Sequence, residues 1–80
     1  MTNSELLCEL IKNAGYTKAD FAEKIGLSRQ GLHKKIFNIT EFKQTEIEKI
    51  SRELKLTRKQ ETAVFFANNV DVQSTSNKGV

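Results

Sequence analysis

The side chains best suited to chemistry lie in one short basic stretch, SRQGLHKK, at residues 28–35. At about 100° per residue of an α-helix, Gln30 and Lys34 fall on the side opposite the apolar Leu32, and Arg29 lies in the first turn. This outward face is polar and basic. Acidic residues are scattered along the chain, and they form neither a convergent carboxylate pair nor part of a catalytic triad. We therefore predict a binding protein and not an enzyme.

The size and composition of the chain limit what it can be. Its 80 residues, 38% of them hydrophobic and none proline, make one small domain with little room for a deep catalytic cleft. Thirteen Lys and Arg against ten Asp and Glu give a net charge of +3, which permits a nucleic-acid partner without requiring one. Cys8 has no disulfide partner and is distant from His33, so we expect no metal and no cofactor. No signal peptide or membrane span is evident, which predicts a cytoplasmic protein.

Apolar residues recur at helical spacing along most of the chain, and no segment shows the alternation of a strand. We therefore predict an all-α fold of five helices. The sequence from residue 68, NNVDVQSTSNKGV, is polar and aperiodic, so we expect a folded domain at residues 1–67 and a flexible tail at residues 68–80. The five helices are expected over about residues 4–14, with Ser4 as N-cap, and over residues 17–25, 28–37, 43–54 and 57–67.

The junction between the second and third predicted helices has the residues of a helix-turn-helix. Two helices that cross steeply need a small residue where they meet, and Ala22 supplies it. The turn needs a residue that tolerates a positive φ, and Gly26 supplies that. Ser28 can then cap the third helix, while Leu32 holds this helix to the core and leaves its outer face free.

The segment KADFAEKIGLSRQGL resembles the helix-turn-helix of the phage repressor and Cro class, and the resemblance extends over residues 4–56. Six residues match that family's pattern in kind: Phe21, Ala22, Gly26, Leu27, Ser28 and Leu32. Two features depart from it. The next buried residue after Leu32 is expected at Ile36, one position later than usual, and FNIT replaces the usual Glu-Asn-Gly after the third helix. The resemblance implies a five-helix fold like that of lambda repressor.

The resemblance also implies roles for individual residues. In this family the third helix enters the major groove of double-stranded operator DNA, where Arg and Lys can donate to guanine and Gln can pair with adenine. It implies a Cro-like transcriptional regulator, acting in a phage lysis–lysogeny switch inside a bacterial host. The base-reading positions are Arg29, Gln30 and Lys34, and the positions near the DNA backbone are Lys18, Ser28, His33 and Lys43.

The end of the fifth helix predicts a surface for a protein partner. Phe65 and Phe66 are adjacent, hence about 100° apart around a helix, so at most one can be centred on the core. Exposed aromatic surface often marks an interaction site. A homodimer and a complex with a different protein, such as a phage repressor, both remain open, as does a simple role in shielding the first helix. The main alternative function is an antirepressor that acts by binding a partner repressor.

Overall fold

The computed structural model describes residues 1–66, which form five helices and, within that range, no strand. The all-α fold predicted from the sequence is therefore confirmed. Residue 67 and the tail predicted at residues 68–80 lie outside the described residues, so the domain boundary stays a prediction. The helices are α1 at Ser4–Asn13, α2 at Lys18–Lys24, α3 at Arg29–Ile36, α4 at Gln44–Glu53 and α5 at Arg58–Phe65.

Three of the helices begin at the caps that the sequence predicts. The side-chain oxygens of Thr17 and Ser28 each accept a hydrogen bond from the backbone N–H three residues later, at 3.1 and 3.0 Å. Thr57 and Gln60 form a reciprocal capping box, with bonds of 2.9 and 3.1 Å. These bonds satisfy N–H groups that the helix itself leaves without partners.

The cap predicted for α1 was wrong by one residue. Asn3 is the N-cap, and its side-chain oxygen accepts from the N–H of Leu6 at 3.1 Å. Ser4 is the first helical residue, and its hydroxyl donates instead to the backbone oxygen of Ile36 at 2.6 Å. Because that carbonyl lies at the C-terminal end of α3, the hydroxyl of Ser4 satisfies a group that α3 leaves free.

The core is built from the apolar faces of all five helices. Helix α3 packs against α2 and α1, and α1 also packs against α5. Leu54, predicted to be buried by α4, is the C-cap of that helix and is only partly buried. The buried hydrophobic residues are Leu7, Ile11, Phe21, Ala22, Ile25, Leu32, Ile36, Ile47, Ile50, Val64 and Phe65.

Tyr16 connects the loop after α1 to two other parts of the fold. Its ring meets Phe21 of α2 edge-on, with centroids 5.2 Å apart, and its hydroxyl donates to a carboxylate oxygen of Glu53 in α4 at 2.6 Å. That hydrogen bond, with burial and the charge of Glu53, raises the pKa of Tyr16 above its ordinary value. The loop is thereby fixed to α2 and to the end of α4.

An ion pair joins α3 to the start of α4. The ammonium of Lys35 lies 3.0 Å from Oε1 of Glu46 and also donates to the backbone oxygen of Glu41 at 3.2 Å. The same carboxylate oxygen accepts from the backbone N–H of Lys43 at 2.8 Å. Burial alone would raise the pKa of Glu46, but the Lys43 N–H and the Lys35 ammonium outweigh it, so this pKa is lowered.

Replacing Glu46 by glutamine tests this link. A lowered pKa in the folded state means that the carboxylate stabilises the fold above its unfolded pKa of roughly 4.3, and that this contribution is lost as the pH falls through the folded value. We expect Glu46→Gln to lower the free energy of unfolding by about 1 kcal/mol at pH 7 and by less at pH 3. Urea denaturation at both pH values measures the difference. Glu48→Gln, an exposed change on the same helix, is the control, and equal losses from both variants at pH 7 would contradict the assignment.

Candidate nucleic-acid interface

A tight turn joins α2 to α3 and sets the angle between them. Gly26 has φ of +80°, the left-handed conformation predicted for it. The N–H of Leu27 closes the turn by donating to the backbone oxygen of Ala22 at 2.8 Å. Ala22 and Leu32, the predicted packing residues of the two helices, are both buried. The angle between the helices is therefore held by packing and by backbone hydrogen bonding together.

The outward face of α3 carries the side chains predicted to read bases. Arg29, Gln30 and Lys34 are all exposed, and with His33 and Ile39 they line one shallow depression of about 580 Å³, here called the α3 depression. The structure thus brings all three predicted base-reading residues to one surface. Sequence reasoning missed Ile39, which is 66% exposed, because it belongs to the loop after α3 and not to the helix.

Positive charge surrounds the α3 depression. Helix α3 carries Arg29 at its start and His33, Lys34 and Lys35 in its last turn, and it contains no acidic residue. Lys35 is paired with Glu46, whereas Arg29 and Lys34 are exposed. Basic side chains at this end also interact favourably with the negative end of the helix dipole. Such a surface attracts a polyanion.

The loop after α3 is fixed by contacts with the N-terminal segment. Asn38 turns the chain with φ of +66°, a conformation that asparagine tolerates better than most residues. Its side-chain amide exchanges two hydrogen bonds with the backbone of Thr2, at 2.8 and 3.0 Å. The N–H of Ile39 then donates to the backbone oxygen of Lys34 at 2.8 Å. The FNIT sequence therefore forms an ordered turn that holds Ile39 beside α3.

Two of the residues predicted near the DNA backbone meet at Phe37, the C-cap of α3. The ammonium of Lys18 lies 5.3 Å from the centroid of the Phe37 ring, within cation–π range. The imidazole of His33 packs against the same ring with centroids 4.7 Å apart. Phe37 is 42% exposed, so these three side chains form a surface cluster at the end of α3.

A helix-turn-helix family model matches residues 9–59, more than half of the 80-residue chain. The chain belongs to the helix-turn-helix family of the Cro/C1 type. It is a DNA-binding transcriptional regulator, and its family is not typically enzymatic. Comparison with curated proteins and with solved structures returned no match. None of the helices within residues 1–66 has the length and apolarity to cross a membrane.

The other two residues predicted near the DNA backbone lie outside the α3 depression. Ser28 caps α3 of this helix-turn-helix protein, and Lys43 is exposed at the N-terminus of α4. Helix α4 also places the ammonium of Lys49 beside Gly26, 3.9 Å from the point where a side chain at that position would begin. Lys49 therefore adds a positive charge beside the turn. Sequence reasoning missed it because only the packing of α4 brings it there.

The two phenylalanines at the end of α5 have different environments. Phe65 is 4% exposed and meets Phe42 edge-on with centroids 5.3 Å apart, so it belongs to the core and is not free for a partner. Phe66, the C-cap of α5, is 38% exposed. The geometry therefore corrects the prediction for Phe65, since only Phe66 of the pair offers surface to a partner of this helix-turn-helix protein.

Substitution of Gly26 tests the turn. A β-branched residue is strained at a positive φ, so we expect Gly26→Val to lower the free energy of unfolding by at least about 1 kcal/mol. Gly26→Asn should cost less, because asparagine visits this conformation more readily. The melting temperatures of the two variants show which substitution costs more stability. Ala19→Val, at an exposed position in α2, controls for β-branching, and a Gly26→Val midpoint equal to that of the control would contradict the role of Gly26.

Proposed function

We propose that this regulator is a small Cro-like protein of a phage or prophage, and that it binds operator DNA in a lysis–lysogeny switch in the cytoplasm of a bacterial host. The observation that carries the DNA-reading part is the α3 depression, where Arg29, Gln30 and Lys34 lie side by side on a helix whose other face is buried. The phage context rests on the resemblance of the helix-turn-helix segment to phage repressors and Cro.

The chemistry of the α3 depression suits the edges of base pairs in the major groove. Arg29 and Lys34 can donate to O6 and N7 of guanine, and Gln30 can pair with N6 and N7 of adenine. Ile39 offers an apolar contact for the methyl group of thymine. The operator half-site should therefore contain guanine, adenine and thymine at neighbouring positions along α3.

Contacts with the DNA backbone would supply most of the affinity and no sequence information. His33 lines the α3 depression and meets Lys18 at Phe37, and Lys49 lies beside the turn. Ser28 and Lys43 stand at the N-terminal ends of α3 and α4. In this proposal α3 is the recognition helix, and these groups would contact phosphates on either side of the major groove that it enters.

Alanine substitutions on α3 test the base-reading assignment. Gln30→Ala and Lys34→Ala should each weaken binding to the preferred DNA by about 1–3 kcal/mol and relax the preference at particular base pairs. Both side chains are exposed, so the fold should be unchanged. Gel-shift titration with DNA from upstream of the protein's own gene, and with a scrambled duplex, measures both effects.

Lys59→Ala is the matched control, because it removes the same charge from an exposed position on α5 that does not line the α3 depression. If both α3 variants keep the sequence preference of the wild-type protein, the base-reading assignment is wrong. Two wild-type results would instead favour the antirepressor: no DNA binding below micromolar concentration, and tight capture of a purified phage repressor.

The exposure of Phe66 supports a protein partner, either a second copy of this chain or a phage repressor. A second copy would place two recognition helices about 34 Å apart for a palindromic operator. We expect Phe66→Ser to leave the melting temperature unchanged but to weaken self-association or repressor capture, as measured by analytical ultracentrifugation and pull-down with a purified repressor. A strictly monomeric wild-type protein that captures no repressor would contradict this role.

A further inference from the structure

Phe37 stands at an unusual place for a large apolar side chain. It is the C-cap of α3 and remains 42% exposed, although Lys18, Arg29 and Lys34 give this part of the surface a positive charge. Its ring contacts Lys18 from α2 and His33 from α3, the two residues whose predicted role is to approach phosphates. One exposed ring thus joins two groups that come from different helices.

We propose that Phe37 is a positioning residue, an aromatic platform that holds Lys18 and His33 together for one phosphate of the DNA backbone. This inference rests on the proposed function and adds a residue to it. Phe37 itself contacts no base in this proposal. It acts through the two side chains on its ring.

An aromatic ring suits this task better than a carboxylate would. A carboxylate beside Lys18 would orient the ammonium but also neutralise it, so a phosphate would have to displace the carboxylate. The negative face of a ring attracts the ammonium without neutralising it, so the full charge of Lys18 stays available to a phosphate. Among residues 1–66, the ion pair within 4 Å is that of Lys35 with Glu46, and Lys18 takes no part in it.

The position of the platform is itself fixed. The N–H of Phe37 donates to the backbone oxygen of His33 at 3.1 Å. The neighbouring residues on either side are held by the N-terminal segment, Ile36 by Ser4 and Asn38 by Thr2. Holding Lys18 in place before DNA arrives reduces the side-chain entropy lost on binding. His33 also lines the α3 depression, so a phosphate at this cluster would lie next to the base-reading side chains.

The test compares two substitutions of Phe37 on the full chain. Phe37→Leu keeps an apolar side chain but removes the ring, whereas Phe37→Tyr keeps the ring. We expect Phe37→Leu to weaken binding about twofold to fivefold, equally for upstream DNA and for a scrambled duplex. The slope of log K against log salt should become shallower by at most the contribution of about one phosphate contact. Phe37→Tyr should bind within about twofold of the wild-type protein. Fluorescence anisotropy across a salt series measures these quantities.

A double-mutant cycle separates positioning from a structural role. If the ring acts through Lys18, Phe37→Leu should cost little further affinity in a Lys18→Met background, because the oriented charge is already gone. An undiminished loss in that background, or wild-type affinity and salt slope for Phe37→Leu, would overturn the inference. Thermal melting checks that each variant is folded, and Phe37→Met replaces Phe37→Leu if leucine lowers the midpoint.

The same titrations distinguish this inference from the proposed function. A wild-type protein that binds neither duplex contradicts both. A wild-type protein that prefers upstream DNA, together with an unaffected Phe37→Leu variant, contradicts the platform alone.

Discussion

The complete burial of Leu32 and Ile36 is the constraint on which the α3 depression depends. These residues lie four apart on α3 and therefore on one side of it, so their burial fixes the rotation of the helix about its own axis. With that rotation set, Gln30 and Lys34 must face outward, and no further contact is needed to aim them. A polar residue at position 32 or 36 would lower the stability of the core. It would also free the helix to rotate, so the side chains on the opposite face would no longer be held in one direction.

Helix α3 is restrained at both ends, and the restraints come from different parts of the chain. At its start, the hydroxyl of Ser28 and the turn at Gly26 act locally. At its end, the N-terminal segment bonds to Ile36 and Asn38, and Lys35 joins α4 through Glu46. The N–H of Asn3 also donates to the backbone oxygen of Val64 at 2.7 Å, so the same segment connects α3 to α5. A short helix of eight residues, marginal in isolation, is thereby held as a rigid element.

The sequence predicted the features that are determined locally. Helix types, the caps at Thr17, Ser28 and Thr57, and the positive φ at Gly26 follow from residues within one or two turns of each other. The exposed face of α3 was also predictable, because helical periodicity alone places Gln30 and Lys34 opposite Leu32. The family model that matches residues 9–59 is likewise a helix-turn-helix model.

Features that depend on distant parts of the chain were not predictable in this way. Asn3 and Ser4 are both good caps, and only the carbonyl of Ile36, 32 residues away, decides what the Ser4 hydroxyl does. Helical spacing showed that Phe65 and Phe66 could not share one environment, but which of them is buried depends on packing against distant residues such as Phe42. Likewise the contact of Lys18 with Phe37, and the reach of Lys49 to Gly26, require the packing of one helix on another.

The basic residues in the last turn of α3 have a consequence for how such a protein can evolve. Functional residues are often unfavourable for stability, but Lys34 sits at the helix end where positive charge is favourable, so under the proposed function stability and DNA affinity would select the same residue type. Substitution there is opposed on both grounds. Gln30, exposed in the first turn, has no such second role, and a new operator preference would meet the least resistance at that position.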